Sequence, residues 1–475
     1  MYKRHLNQIN LLDEPEYFGR IALDPDNEWV KLAKLIPWDQ FEEEYASSFT
    51  SGTGQPACSF RMALGALLIK ERYQFSDEET VEHITMNPYL QYFIGLEAFT
   101  QKSPFDQSMM TRFRKRISTE TLQKVNDIII GRPTEKEDND KHDNGGSGGN
   151  SGTLILDATC APQNIRFPTD ASLLNEARIN AEEIIDVLHE QGLTDGEKKP
   201  RTYREKAKRQ YNSFSKSRKK SRKSIRQTIR RQLGYLKRDL SIIDRIAEKH
   251  PDYAEYLPKW QRERLPVVRL LYSQQQEMYS SKTHRVENRI VSLSQPWVRP
   301  IVRGKQNAEV EFGAKVEMSD VNGYLRVEEL RWDAFNESTT FQDSVENYRK
   351  AYGHYPERVL ADTIFRTKEN RRYCKEHDIH LNGPKLGRPA SDPAVRKQEG
   401  YLEWLESGER GDIERRFGIN KRCYSLGCIT AKLQHTSEVM IYMSVLTLNL
   451  QRRLRLLLRS FFRFFFEPLI LLLVQ

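Results

Sequence analysis

Residues 153–157, Thr-Leu-Ile-Leu-Asp, form a short apolar run that ends in an acid, and residues 358–362, Arg-Val-Leu-Ala-Asp, repeat this pattern. Short apolar runs of this kind are typical of buried β-strands. An acid in such a place is held on rigid backbone at the carboxyl end of a strand, where α/β sheets commonly build sites. Asp157 and Asp362 are therefore candidate catalytic residues. For either residue alone, a capping or turn aspartate is the more common explanation.

A third acid stands on a predicted helix, in the stretch 408–421, Gly-Glu-Arg-Gly-Asp-Ile-Glu-Arg-Arg-Phe-Gly-Ile-Asn-Lys. Arg410, Glu414 and Lys421 are spaced four and then seven residues apart, so a helix places them along one face. Two apolar residues four apart predict an adjacent stripe that pins this helix to a core. A carboxylate that binds a divalent metal, with cations beside it that hold phosphate, suits this arrangement. The alternative is an ordinary salt bridge between Arg410 and Glu414.

The second half of the chain predicts a mixture of strands and helices around these acids. Two stretches of largely alternating apolar and polar residues, with Asn322 and Gly323 between them, predict a hairpin. Its strands lie within 308–319 and 323–335. The other predicted elements are helices at 171–191, 340–352, 367–376, 393–407 and 409–422, a strand at 379–381, and a long C-terminal helix.

Residues 1–133 are predicted to be helical. Residues 59–71 form an amphipathic stretch, and Ser76 with Glu79 forms a capping box at the start of the next helix. A third helix follows Ser108 and is strongly basic. Short helices with a basic last member suit a helix-turn-helix DNA reader, and a small helical bundle with a solvated charged face explains the pattern equally well. The candidate DNA-binding residues of this helix are Arg112, Arg114, Lys115 and Arg116.

A flexible linker and a strongly basic segment come next. Residues 134–153 are charged and then rich in Gly and Ser, which predicts a linker and a domain boundary. Residues 198–238 contain eighteen Lys or Arg and one acid, Glu205, with aromatic residues interleaved. Such a segment suits a nucleic acid, RNA included, or is a solvated charged helix or coiled-coil face. The candidate DNA-binding residues here are Arg218, Lys219, Lys220, Arg222 and Lys223.

Composition narrows the possible functions. The 475 residues carry 75 Lys and Arg against 66 Asp and Glu, a net charge of +9. The five cysteines form no CxxC pair, which argues against a zinc ribbon or a disulfide framework. The N-terminus lacks the apolar run of a signal peptide, and no phosphate-binding loop supports the use of ATP. The apolar residues 456–475 are interrupted by charge and proline, so we expect a packing or assembly helix and no membrane partner.

The combination of these segments resembles the RNase H-like DDE transposases of bacterial insertion sequences. The segments that carry the resemblance are residues 54–96 and 108–117 of the helical region, LILDAT at 154–159, VLADTIF at 359–365, and RGDIERRFGINKR at 410–422. The last segment matches the family's R-x3-E-x6-K pattern. The family places a tyrosine three residues before the arginine, where this chain has Ser407. The separation between Asp157 and Asp362 is long because the basic helical stretch is inserted after the first strand.

The resemblance implies an α/β RNase H-like catalytic domain, with a mixed sheet and flanking helices, at 154–455. It also implies an all-α N-terminal DNA-binding domain at 1–133, a basic helical insertion at about 170–300, and the apolar tail at 456–475. Asp157, Asp362 and Glu414 would hold two Mg²⁺ ions, which Mn²⁺ can replace. Arg410 and Lys421 would position phosphates, and Lys385 and Arg388 are further candidates for DNA contacts.

The implied reaction is cleavage at the ends of an insertion sequence followed by joining of the freed 3′-OH ends to target DNA. The implied partners are the terminal inverted repeats, the target DNA and further copies of the chain in a homodimer or higher assembly. The implied location is cytoplasmic, at the prokaryotic nucleoid. Two alternatives remain open: an RNase H-like endonuclease without strand transfer, and a non-catalytic nucleic-acid-binding derivative of a transposase.

Overall fold

A computed structural model describes residues 18–49, 57–132, 149–305, 308–384, 387 and 392–473, apart from residues 20 and 197. For residues 303–305, 308–309 and 459–473 it describes the backbone alone. Most of the predicted linker, 134–148, lies outside the described residues, as do Lys385 and Arg388.

The chain divides into two compact units. Unit 1 comprises residues 1–162, 315–331 and 335–475, and unit 2 comprises residues 163–314 and 332–334. The predicted insertion at about 170–300 lies inside unit 2. The segments before and after the predicted linker both belong to unit 1.

The first half of unit 1 is helical, as predicted. Ser59 caps the third helix, and the predicted capping box between Ser76 and Glu79 is confirmed, with hydrogen bonds of 3.1 and 2.7 Å. The helices are α1 (Glu28–Leu35), α2 (Trp38–Ser47), α3 (Phe60–Tyr73), α4 (Asp77–Met86), α5 (Pro88–Phe93), α6 (Ser108–Arg116) and α7 (Thr119–Ile129).

The second half of unit 1 adds helices around a sheet. They are α12 (Phe341–Tyr352), α13 (Lys368–Glu376), α14 (Pro393–Cys423) and α15 (Gln434–Leu473). The predicted end of α12 at Gly353 is confirmed: this glycine has φ of +76° and its N–H donates to the carbonyl of Arg349. One face of α15 is buried in the same apolar core as α1–α7, through Val439, Met443, Leu446, Leu450 and Leu454. The N-terminal helices and the C-terminal helix therefore share one core.

The sheet is mixed. Its strands are β1 (Thr153–Pro162), β2 (Arg299–Lys305), β3 (Ala308–Val321), β4 (Tyr324–Arg331), β5 (Arg358–Ala361) and β6 (His380–Leu381). The order is β2-β3-β1-β5-β6, and β4 pairs with β3. Pairs β1–β5 and β5–β6 are parallel, whereas β2–β3 and β3–β4 are antiparallel. The predicted hairpin, β3–β4, is confirmed, with positive φ at both Asn322 and Gly323.

Two local predictions were wrong in their boundaries. Strand β1 does not end at Asp157 but continues for five further residues, because the small and apolar residues beyond the acid, such as Cys160 and Ala161, are also buried. The two helices predicted at 393–407 and 409–422 are one continuous helix, α14. Gly408, at the expected break, is helical, and an added Cβ there would meet no described atom within 4 Å.

Unit 2 is built on four helices, α8 (Asp170–Glu190), α9 (Arg204–Lys216), α10 (Arg222–Lys249) and α11 (Lys259–Ser281). The basic segment has an apolar stripe that the charges obscure in the sequence. Ile229, Leu233, Leu236, Leu240 and Ile243 recur at helical spacing on α10 and are buried against α8 and α11. The stripe gives the basic helix a core, and most of its cations stay on the outer face.

None of the helices in the described part of the chain combines the length and the apolar composition that crossing a membrane requires.

Candidate active site

Asp157 and Asp362 are neighbours on the parallel strands β1 and β5, at the point where β5 ends. Leu156 on β1 is the register partner of Ala361 on β5, and each aspartate directly follows its member of this pair. Adjacent strands lie about 4.8 Å apart, so the two backbones are close at these positions. Asp362 also caps a 3₁₀ turn, Thr363–Phe365, since its carboxylate accepts a 2.7 Å hydrogen bond from the Thr363 N–H. The residue is both a cap and a neighbour of Asp157.

Asp157 is mostly buried. One carboxylate oxygen, Oδ1, accepts a 2.8 Å hydrogen bond from the Ala158 N–H, and the other, Oδ2, lies 4.0 Å from Nη1 of Arg410. Burial raises the pKa of Asp157 to about 6, and the negative charges of Glu414 and Glu337 act in the same direction. The hydrogen bond from Ala158 and the charge of Arg410 only partly offset this rise. The rise thus reflects chiefly the burial of Asp157, to which the two negative charges add.

Helix α14 brings the third predicted acid to this place. Ile413 and Phe417 are buried and fix the helix to the core, as the spacing predicts. Arg410 lies between the two carboxylates: its Nη1 is 3.3 Å from Oε1 of Glu414 and 4.0 Å from Oδ2 of Asp157. The alternative drawn from the sequence, a salt bridge between Arg410 and Glu414, is present in the structure, and it extends to Asp157.

Glu337 belongs to the same cluster of charges and was missed by the sequence analysis. It opens the 3₁₀ turn Glu337–Thr339 after the hairpin, and its carboxylate lies 2.7 Å from Nζ of Lys315. It helps to raise the pKa of Asp157. A single acid in a connecting segment carries no signal in the sequence, because only the fold brings it near β1.

Glu317 on β3 is a second residue that the sequence analysis missed. It occupies a polar position of an alternating strand, yet it is fully buried and accepts hydrogen bonds from Thr340 and Ser344. Burial raises its pKa to about 7. The hydroxyl groups of the segment after the hairpin satisfy this carboxylate, so its role is to hold that segment against β3.

The donor set suits a hard divalent cation. Asp157, Asp362 and Glu414 supply carboxylate oxygens, the ligands that Mg²⁺ and Mn²⁺ prefer, and the negative charges of Glu414 and Glu337 lie close enough to Asp157 to add to the rise in its pKa. In the described part of the chain no three His, Cys, Asp or Glu side chains are already arranged as a ligand group. The Arg410 guanidinium, close to both Asp157 and Glu414, provides the nearby positive charge in this arrangement.

Comparisons with known proteins place this chain in a family. Residues 19–116 match the family model of a transposase domain (DUF772), and residues 359–451 match that of a transposase DDE domain. The uncharacterized protein ORF8 in the nfe locus of Rhizobium meliloti is 32% identical over 163 residues, which are 33% of this chain and 71% of that protein. The chain belongs to the DDE transposases of insertion sequences. No solved structure matches the transposase.

The two matches include part of the predicted site. The DDE match contains Asp362, Arg410, Glu414 and Lys421, whereas Asp157 precedes it. The family generally uses divalent metal ions, in agreement with the carboxylate donors at this edge of the sheet. Neither family match includes any residue of 163–314, the main part of unit 2.

The predicted DNA-binding residues of α6 fall into two groups. Arg112 and Lys115 are exposed. Arg114 donates hydrogen bonds of 2.9 and 2.6 Å to Asp77, which joins α6 to α4, and the guanidinium of Arg116 lies 4.2 Å from the ring centre of Phe49. The second pair therefore stabilises the helical region of the transposase, and the first pair faces solvent.

The predicted residues of unit 2 are all exposed. They lie in the connection between α9 and α10 and in the first turn of α10, and they are Arg218, Lys219, Lys220, Arg222 and Lys223. Lys421 is partly buried near the end of α14.

Proposed function

We propose that this transposase cleaves DNA at the ends of its insertion sequence and joins the freed 3′-OH ends to target DNA, by two-metal phosphoryl transfer in an RNase H-like domain at 154–455. The observation that carries the proposal is the position of the three acids. Asp157 and Asp362 directly follow paired residues of adjacent parallel strands, and Arg410 connects Asp157 to Glu414.

Asp157, Asp362 and Glu414 are the residues that would hold two divalent ions, Mg²⁺ with Mn²⁺ as a substitute. When bound, the ions supply an activated water or 3′-hydroxyl and stabilise the leaving oxygen. Asp157 must lose its proton to act as a ligand, and its pKa of about 6 keeps it mostly ionised above neutral pH. Because β1 continues on both sides of Asp157, this carboxylate is held on rigid backbone.

The basic side chains of the site act on the DNA backbone. The Arg410 guanidinium would contact a phosphate oxygen of the DNA, because its fork of N–H groups suits phosphate. Lys421 lies on the same helix and would contact the strand further along. Lys385 and Arg388 remain proposals for the same role.

Exposed cations outside the catalytic site would bind the DNA flanks. Arg112 and Lys115 belong to the helical region proposed to bind the terminal inverted repeats, and the five exposed cations at 218–223 belong to the insertion. Transposition holds two DNA ends together, so we propose a homodimer or higher assembly on DNA, acting in the cytoplasm at the nucleoid.

The test is cleavage of a duplex that carries the DNA from both flanks of the coding region. The rate of cleavage should fall in each of three variants, Asp157→Asn, Asp362→Asn and Glu414→Gln. The loss should exceed the roughly 10–100-fold that is typical when a residue hydrogen-bonded to a metal ligand is changed. Binding of the same duplex should persist. Glu403→Gln, a change of the same chemistry at an exposed position of α14, is the matched control. Full cleavage by the Glu414→Gln protein contradicts the assignment.

A second assay with pre-cut ends tests the joining step. Joined product supports transposition. Cleavage without joining would make the protein an endonuclease, and binding without cleavage in any divalent ion would make it a non-catalytic derivative. Either result contradicts the proposed function.

A further inference from the structure

Unit 2 contains a cavity of about 560 Å³ that neither family match includes. It lies between residues 193–194 and 198–203 on one side and one face of α10 on the other, where the lining residues lie between 238 and 249. Apolar residues of both segments line part of it, together with Thr194, Tyr203 and five cations. The cations are Lys198, Arg201, Arg238, Arg245 and Lys249.

Among the described residues, little negative charge offsets the cations of the cavity. No acidic residue is among its described lining residues. Lys249 is neutralised by Asp195, 2.9 Å away. Among the residues that the structure describes, Lys198, Arg201 and Arg238 have no carboxylate within ion-pair distance. Like charges held this close repel one another unless an anion lies between them.

Tyr203 holds two of these cations together. The guanidinium carbon of Arg201 lies 4.9 Å from the centre of the Tyr203 ring and that of Arg238 lies 4.5 Å from it. Attraction between a guanidinium and an aromatic ring favours this grouping. Tyr203 itself has φ of +59°, a conformation that is unfavourable for a bulky residue. The backbone of Tyr203 is therefore in an unfavourable conformation at the point where two arginines converge. This arrangement pre-organises the two arginines for an anion.

We propose that this cavity binds phosphates of the DNA backbone, as a second contact of the transposase outside its catalytic site. The inference rests on the proposed function, because DNA is the polyanion that the protein meets. The lining positions 238–249 span about 16 Å along α10. This length corresponds to several nucleotides of one DNA strand and exceeds the size of a single phosphate. The exposed cations at 218–223 lead into the same helix, so one DNA segment can contact both groups.

The test is DNA binding by the full chain, measured by fluorescence anisotropy with a labelled duplex over a series of NaCl concentrations. The double variant Arg201→Gln/Arg238→Gln should bind roughly ten-fold more weakly, and its salt slope should fall by about two, one for each lost phosphate contact. Arg262→Gln/Lys282→Gln removes the same charge from exposed positions of unit 2 and should bind like the wild type.

A single change, Lys198→Gln, guards against misfolding of the double variant, because Lys198 is exposed. Its salt slope should fall by about one. Equal affinity and slope for wild type, Lys198→Gln and the double variant would overturn the inference. So would a wild-type protein that binds no DNA.

Inorganic pyrophosphate distinguishes a small anion from DNA. A rise in melting temperature with pyrophosphate that the double variant loses, together with unchanged DNA affinity, would show a small-anion site and overturn the inference. Cleavage is measured in parallel. If DNA binding depends on Arg201 and Arg238 but the wild type does not cleave, the proposed function is refuted and the phosphate-binding role of the cavity is supported. If the wild type cleaves and the double variant binds DNA equally well, the proposed function is supported and the role of the cavity is refuted.

Discussion

Asp157 and Asp362 stand side by side because Leu156 and Ala361, the residues before them, are register partners on parallel strands. Strand β5 ends at this point, and β1 continues. One acid is therefore fixed within a strand, and the other caps a turn at the end of its strand. The carboxylate of Asp157 is thus held within a strand, whereas that of Asp362 lies at the start of a connecting segment. Helix α14 brings Glu414 and Arg410 to the same place.

Arg410 should set the pH at which the site becomes active. Its charge lowers the pKa of Asp157, so Arg410→Gln should raise that pKa further. We expect the rising limb of the pH profile of cleavage to move upward by about one unit or less. Arg415→Gln, on the exposed side of the same helix, is the control. Profiles that coincide for Arg410→Gln and the wild type would show that Arg410 does not act on Asp157.

In the absence of divalent metal, the Asp157 carboxylate should lower the stability of the folded protein. Its folded pKa, about 6, lies above the usual value of 3.8, so the folded state binds more protons between these values. Stability therefore falls as pH rises from about 4 to 6 and stays reduced above that. At pH near 7.5 in EDTA, the melting temperature of Asp157→Asn should be a few degrees above that of the wild type, since each kcal/mol of stability shifts it by on the order of 2–4 °C.

Mg²⁺ or Mn²⁺ should raise the melting temperature of the wild type and have less effect on Asp157→Asn. Glu403→Gln should respond to the metal like the wild type. A metal effect of the same size in all three proteins would contradict the assignment of Asp157 as a ligand.

Unit 2 should lose stability between about pH 4 and pH 8 because of Asp239. This residue is fully buried, neither of its carboxylate oxygens has a hydrogen-bond partner among the described residues, and burial raises its pKa to about 8, with Glu182 adding to the rise. The positive charges of Arg178, Arg238 and Arg204 act against this rise. The folded state thus holds a proton that the unfolded chain releases near 3.8, and stability falls as pH rises from about 4 to 8.

Thermal unfolding at several pH values tests this. Asp239→Asn should flatten the decline and melt higher than the wild type above pH 8. Asp244→Asn, at a half-exposed acid of the same helix that pairs with Arg269, should keep the wild-type decline. An unchanged decline in Asp239→Asn would show that another group is responsible.

Glu71 should be important for the stability of unit 1. It is buried on α3 and accepts two hydrogen bonds of 2.6 Å, from the N–H and the hydroxyl of Ser425, just beyond the end of α14. Glu71→Ala leaves both donors unpaired and should lower the free energy of unfolding by about 2–4 kcal/mol. Urea denaturation measures this change, with Glu78→Ala, at an exposed position of α4, as the control. Equal losses in the two variants would mean that the contact with Ser425 contributes nothing.

Local patterns in the sequence predicted most elements of the fold. The capping box at Ser76, the hairpin turn at Asn322 and Gly323, and the end of α12 at Gly353 each depend on residues within a few positions of one another. The predictions that failed also concerned local boundaries. Asp157 did not end its strand, because the residues beyond it are also buried. Gly408 did not end its helix, and the residues on either side of it are largely exposed, so burial does not explain the continuation.

The sequence alone determined the residue types of the site, the helical face that carries Arg410, Glu414 and Lys421, and the segregation of positive charge into 198–238, since all of these follow from spacing along the chain. The tertiary structure alone decided which residues meet. The pairing of Asp157 with Asp362, the nearness of Glu337, the burial of Glu317 and the shared core of the N-terminal helices with α15 depend on contacts between distant segments, which register and packing select and local periodicity does not encode.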